Sequence, residues 1–222
     1  MTDSPAAHVR HDLSIDQQHA LTTAAARLHS EFGEHFGVDT IERFLHSSYE
    51  QVAARATVPN FLPLLAERWA RQRLDALARV EGKITTAKPM VLFLCTHNAG
   101  RSQMALGFFN HLAGHHAVAW SGGSEPGNEI NPAAVAAMAE IGIDIAREFP
   151  KPWTDEIVRA ADVVVTMGCG DACPFFPGKR YENWELPDPA GQGIDAVRPI
   201  RDEVEVRVRR LLAELGIEPA VH

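Results

Sequence analysis

From residue 90 onward the chain alternates short apolar runs with helical patterns, and this alternation most restricts its fold. Residues 90–94 (MVLFL) form an unbroken apolar run, the kind buried on both faces of a parallel sheet. A helix is predicted over 102–113 and a second strand over 117–120. A glycine-rich loop (SGGSEPGNEI) then leads to Asn131-Pro132, a strong helix start with Asn as cap and Pro in the first turn. That helix is expected to reach Ile141 and stop at Gly142. Strands over 162–166 and 180–184 and a last helix over 197–215 complete the pattern. The expected architecture is α/β: a four-stranded parallel sheet flanked by helices, preceded by a small three-helix domain. In such sheets a ligand sits beyond the carboxyl ends of the strands, where Cys95 follows the first of them.

Before residue 85 only helical patterns occur, so we expect domains at 1–85 and 86–222, joined through the polar link KITTAK at 83–88. Leu21, Ala25, Leu28, Phe32 and Phe36 draw one apolar stripe, with Gly33 and Gly37 weakening and then ending the helix. Asp39 with Glu42 reads as a capping box ahead of a face formed by Ile41, Phe44, Leu45, Ser48, Tyr49 and Val52. A third helix from about Pro59 carries Phe61, Leu65, Trp69, Leu74 and Leu77 and ends at Gly82. Arg68, Arg71 and Arg73 on it are expected to form a solvated face.

A formal net charge of −8 argues against nucleic-acid or anionic-membrane partners. No apolar run approaches the ~18 residues that span a bilayer, and the N-terminal residues lack the apolar core of a secretory signal. A cytoplasmic location is therefore expected. Three cysteines are too few for a disulfide framework and point to reactivity, metal binding or packing.

Cys95-Thr96-His97-Asn98-Ala99-Gly100-Arg101-Ser102 joins the first strand to a helix. Small residues at Ala99 and Gly100 let the backbone turn successive N–H groups toward one point, a nest for a tetrahedral oxyanion at a helix N-terminus. Arg101 adds a planar, permanently charged fork for two oxygens of the same anion. Only a thiolate is a useful nucleophile, and Cys95 lies at the bottom of this positive field. Ser102 is placed to hydrogen-bond the sulfur, and Asn98 to hold the loop's shape. His97 reads as a solvent-facing spacer or a modulator of the anion's charge.

The C-x5-R-S motif after the first strand resembles the low-molecular-weight phosphatase-like fold, shared by tyrosine phosphatases and arsenate reductases. The helix opening RSQMA, with Gln103 where phosphatases usually carry proline, favours the reductases. The segments SGGSEPGNEINPAAVAAMAEIGIDI, VVVTMGCGDACPFFPGKRYENWELPDP and DPAG are similar to those of reductases of that fold. The resemblance covers about residues 88–215, and VPNFLPLLAERWARQRL resembles the three-helix extension of some actinobacterial members.

That resemblance implies reduction of arsenate to arsenite, with a phosphotyrosine phosphatase as the rival within the fold and a redox-sensing or arsenic-binding module as a third class. Cys95 would attack arsenate held by Arg101 and the 96–102 loop, and Asp188 would protonate the departing oxygen. A second thiol must then release arsenite. Cys169 and Cys173 lie ~13 Å apart if extended but ~6 Å apart in a helical turn, within disulfide range. The resemblance implies that they carry off the oxidising equivalents to thioredoxin, with mycothiol as the alternative reductant. Inert packing cysteines are the competing reading. No bound cofactor and no metal are expected. A zinc site lacks any C-x2-C partner element, and Leu106 stands where some family members place a cation-binding glutamate. His111, His115 and His116 read as a surface group at a helix end. Two roles are open for the N-terminal helices: homodimer contacts, or docking onto the catalytic domain.

Overall fold

Ser14 and Gln17 open the first helix through a reciprocal capping box: Gln17 N donates to Ser14 Oγ at 3.2 Å and Ser14 N donates to Gln17 Oε1 at 3.0 Å. The structure is a computed structural model and describes residues 13–54, 61–168, 173 and 175–220. It divides into two units, Met1–Thr85 and Thr86–His222.

In the first unit, α1 (Ile15–Phe32), α2 (Val38–Ala53) and α3 (Leu62–Val80) pack against one another. The α1 stripe is Leu21, Ala24, Leu28 and Phe32, so Ala24 rather than Ala25 faces inward. Helix α1 stops at its cap Gly33. Gly37, expected to end it, instead caps α2 in an extended conformation. Asp39 therefore lies inside the first turn, and the expected Asp39–Glu42 capping box does not form. The predicted inward face of α2, from Ile41 to Val52, is buried throughout.

The expected start of α3 at Pro59 lies outside the described residues. Phe61 occupies the N-cap and is 62 % exposed, so the buried stripe begins with Leu62 and continues through Ala66, Trp69, Ala70 and Leu74. Arg73 is not solvated. Its Nη1 donates to Ser47 Oγ at 2.8 Å and Ser48 Oγ at 3.2 Å, and its guanidinium lies 4.6 Å from the Phe44 ring centroid. A planar cation with such partners is buried at tolerable cost, which a charge pattern does not reveal. Glu67, also on α3, is buried and accepts from Arg27 at 2.9 Å and Arg71 at 2.8 Å.

The second unit contains β1 (Met90–Cys95), α4 (Arg101–Ala113), β2 (Val118–Gly123), α5 (Pro132–Ala139), α6 (Asp155–Ala160), β3 (Val163–Met167), β4 (Arg180–Asn183) and α7 (Ile194–Glu214). The strands form one parallel sheet in the order β2-β1-β3-β4. Every residue of the central strand β1 is buried. Val91 and Phe93 join Val163 and Val165 beneath α4, α5 and α7, with Phe109 and Trp184 against Phe93. Met90, Leu92 and Leu94 are as fully buried on the opposite face, and α6 packs against β1. Helix α6 was not expected from the sequence, because six residues are too few to show a period. Strand β2 runs further than predicted, to Gly123, and α5 stops earlier, at Ala139. Extension of β2 sets Gly123 beside Cys95 in register and brings the glycine-rich loop against the Cys95 loop.

Candidate active site

Three carbonyls of the loop after β1 are turned outward and tied down. Thr96 O accepts from Glu125 N, His97 O from Gly127 N and Ala99 O from Asn131 N, at 2.8–2.9 Å. A peptide plane that sends its oxygen one way sends the next N–H the other. Among the described residues the amides of His97, Ala99, Gly100, Arg101 and Ser102 accordingly find no protein acceptor. No side chain caps α4, whose first N–H groups join the same set. These open donors and the positive end of the α4 dipole suit the concavity to an anion. The glycine-rich loop thus has a structural task that its composition alone did not disclose.

Close packing holds this arrangement. A Cβ on Gly123 would stand 2.6 Å from Thr96 O, so only glycine admits the loop here. Asn98 is the one described non-glycine residue with positive φ, at 46°. Asparagine tolerates that region, and here both ends of its side chain are hydrogen-bonded. Nδ2 donates to Ser102 Oγ at 2.9 Å, while Oδ1 accepts from Lys151 N at 3.0 Å and Gln103 Nε2 at 3.1 Å. Gln103 also reaches Asn98 O at 3.0 Å, a bond that proline at this position could not make. Lys151, absent from the sequence reading, is wholly buried, with its Nζ 3.4 Å from Ser121 Oγ and 4.8 Å from the Phe149 ring centroid.

Cys95 is a buried free thiol at the bottom of the concavity. Asn98 N donates to its sulfur at 3.1 Å, and Ser102 Oγ lies 2.9 Å away. Ser102 Oγ accepts from Asn98 Nδ2 and keeps its own proton available to an ionised Cys95 sulfur. Toward a thiolate both Asn98 N and Ser102 Oγ act as donors, an environment suited to a nucleophile that carries negative charge.

Arg101 lies beneath the cleft with its side chain 8 % exposed. Its Nη2 donates to Asp188 Oδ2 at 2.7 Å, and its Nη1 faces Leu186 O at 3.4 Å. Gly168, just past β3, has φ 76°, and a Cβ there would meet Arg101 Nη1 at 2.7 Å. Asp188 Oδ1 accepts from Ala190 N at 3.0 Å, so a tight turn presents the carboxylate toward the guanidinium. Asn131 joins three parts of the site: its amide nitrogen holds Ala99 O, its Oδ1 caps α5, and its Nδ2 donates to Pro189 O at 2.9 Å. Pro189 in turn packs over Gly100, where a Cβ would approach its ring to 2.5 Å. The resulting cleft of about 530 Å³ is lined by Cys95, Gly100, Arg101, Asn131, Asp188 and Gln192, among others.

The fold thus brings Cys95, Asn98, Arg101, Ser102 and Asp188 to one place. The His97 ring is exposed, with Nδ1 3.1 Å from Glu125 O, and Thr96 Oγ1 donates to Gly168 O at 3.0 Å. Cys173 is disulfide-bonded, and Cys95 is not its partner. Cys169 lies outside the described residues. Asn131, Gly168 and Lys151 were missed as site residues, because each acts through packing or a long-range hydrogen bond.

Residues 90–220 match the family model described as low molecular weight phosphotyrosine protein phosphatase. The chain belongs to that family. Residues 21–78 match a second model, the N-terminal domain of protein-tyrosine-phosphatase-like proteins. Within the family, a solved Corynebacterium glutamicum thioredoxin-dependent arsenate reductase is 41 % identical, with a TM-score of 0.80, over 88 % of this chain and 96 % of that one. A glutaredoxin arsenate reductase of Synechocystis sp. is 36 % identical over 129 residues, 57 % of this chain and 98 % of that protein. Arsenate reductase 2 of Staphylococcus epidermidis is 37 % identical over 125 residues, 54 % of this chain and 94 % of that protein. Among the described residues no helix is long and apolar enough to cross a membrane.

Proposed function

We propose that the chain reduces arsenate to arsenite, and that the unit from Thr86 to His222 is its catalytic domain. The observation that carries this reading is the free Cys95 sulfur, held by Asn98 N and Ser102 Oγ at the foot of an open-amide nest beside Arg101. Arsenate and phosphate are both tetrahedral oxyanions, so the nest by itself suits either. The similarity to arsenate reductases and the presence of two further cysteines favour arsenate.

In this mechanism Arg101 and the loop amides bind the oxyanion, and the Cys95 sulfur attacks arsenic. An oxygen leaves as water with a proton from Asp188, giving a sulfur–arsenic(V) adduct. The Cys169 thiolate then attacks Cys95 Sγ. The sulfur–arsenic bonding pair stays on arsenic, which departs as arsenite, and a Cys95–Cys169 disulfide forms. Cys173 attacks Cys169 next, freeing Cys95 and leaving the distal pair oxidised. A free Cys95 with a disulfide-bonded Cys173 agrees with the end of this sequence. Thioredoxin is the external reductant in this scheme, in a cytoplasmic setting, and a homodimer through the N-terminal helices is a further proposal.

The test is NADPH oxidation by thioredoxin and its reductase, with and without arsenate, for the native chain and Cys169→Ser. Arsenate-dependent oxidation that disappears in the variant supports the relay. Turnover that survives with mycothiol moves the reductant to that thiol. Hydrolysis of an aryl phosphate without arsenate turnover establishes the phosphatase reading instead. Sizing by light scattering tests the dimer.

A further inference from the structure

Immediately after Cys173 the chain reads Pro-Phe-Phe-Pro, and the two aromatic rings are treated differently. Phe176 is anchored: its amide donates to the Tyr181 hydroxyl at 2.7 Å, and its ring lies 5.2 Å from the Arg159 guanidinium carbon. Phe175 is displayed. It is 74 % exposed, yet its ring rests on Tyr181 at a centroid distance of 4.9 Å and an interplanar angle of 30°. Tyr181 belongs to β4 and is fixed by the sheet. An apolar ring is thereby held toward solvent in a set orientation. Phe175 fills no core and touches no part of the Cys95 cleft among the residues that line it.

Its position relative to the disulfide defines what can meet it. Two residues of chain separate the Cα atoms of Cys173 and Phe175 by at most about 7 Å. A protein that reduces a disulfide must bring its sulfur to bonding distance, and even a small redox contact covers several hundred Å² on each partner. Phe175 lies within the reach of such a contact around Cys173. Oriented aromatic rings are the side chains that most often anchor such contacts, because little conformational freedom is lost when they are covered.

We propose that Phe175 is the docking anchor for a thioredoxin-class dithiol protein that reduces the Cys173 disulfide. The proposal rests on the thiol relay above. The reductant's thiolate attacks Cys173 Sγ, forming a mixed disulfide as the former partner sulfur leaves as thiolate and takes up a proton. The reductant's second thiol then displaces Cys173. Two electrons pass to the chain, and the reductant departs as a disulfide.

The experiment follows disulfide reduction directly and needs no arsenate. Oxidised full chain, Phe175→Ser and Phe175→Trp are each mixed with reduced thioredoxin and, separately, with dithiothreitol. The serine variant is expected to react about tenfold more slowly with thioredoxin and unchanged with dithiothreitol, and tryptophan to restore the thioredoxin rate. An unchanged thioredoxin rate in Phe175→Ser overturns the proposal. So does an equal loss with dithiothreitol, which would mean that the ring shapes the disulfide. Failure of arsenate turnover in the separate NADPH assay would remove the relay reading, while these rates still decide the docking surface.

Discussion

Asp188 Oδ2 lies 2.7 Å from Arg101 Nη2, so the two groups assigned opposite tasks at one anion are joined to each other. Arg101 is buried, whereas the Asp188 side chain is 45 % exposed and stands on a turn. The carboxylate thus helps hold the guanidinium fork in place. In the proposed mechanism an oxyanion that takes the fork frees Asp188, which must then take up a proton before it serves as the general acid.

Arg101→Lys replaces a planar fork by a point charge that cannot serve two oxygens in one plane. We expect kcat/KM for arsenate to fall about 100-fold with the fold retained, the scale of losing one oxyanion donor. Steady-state kinetics with circular dichroism checks this. A loss below about threefold would separate Arg101 from anion binding.

Gly168→Ala should produce a loss in the same direction without touching the anion. Its new methyl would stand 2.7 Å from Arg101 Nη1, at a φ that side chains disfavour. The predicted signature is weaker binding of arsenate or sulfate by calorimetry, about tenfold or more. Unchanged anion affinity would show that Arg101 is not displaced.

Ser102→Ala removes one of the two donors at the Cys95 sulfur. Hydrogen bonds to charged groups contribute about 1.5–3 kcal/mol, so alkylation of Cys95 by iodoacetamide at pH 7 should slow at least about tenfold. Cys95 is the free thiol when Cys173 is oxidised, so labelling of that form, read by peptide mass, isolates the effect. An unaltered rate would leave Ser102 a spacer.

Asn131→Ser keeps an oxygen that can cap α5 but loses the amide that holds Pro189 O. If Asn131 positions Asp188, kcat should fall about five- to tenfold, the scale of one hydrogen bond, with KM for arsenate nearly unchanged. In an Asp188→Asn background the same change should cost nothing further. Additive losses would instead make Asn131 purely structural.

Glu67 predicts a pH dependence in the helical unit. Its hydrogen bond with Arg27 is the main cause that holds its carboxyl below the ordinary glutamate value. A depressed carboxyl contributes stability that is fully present above about pH 4.3 and fades as pH falls through the lower folded value. Glu67→Gln should therefore cost about 1 kcal/mol near pH 7, modest because solvent screens the half-exposed Arg27. The difference in Tm between the two proteins should shrink toward pH 3. A constant difference would contradict this account.

The apolar runs determined strands β1 and β3, because a strand buried on both faces leaves its mark in consecutive apolar residues, as at 90–94. The spacing from Cys95 to Arg101 and Ser102 is likewise local: six or seven residues join a strand end to a helix start, and little else fits. What only tertiary structure decided depends on distant chain meeting across the sheet. Gly168 clears space for Arg101, and Asn131 holds Pro189 over Gly100. Outward carbonyls at Thr96, His97 and Ala99 need the 121–131 loop to hold them. Arg73 was misjudged for the same reason, since its charge is legible in the sequence but its serine and aromatic partners belong to another helix. Local pattern encodes which residues face inward; which groups satisfy one another across the core is encoded only in the folded packing.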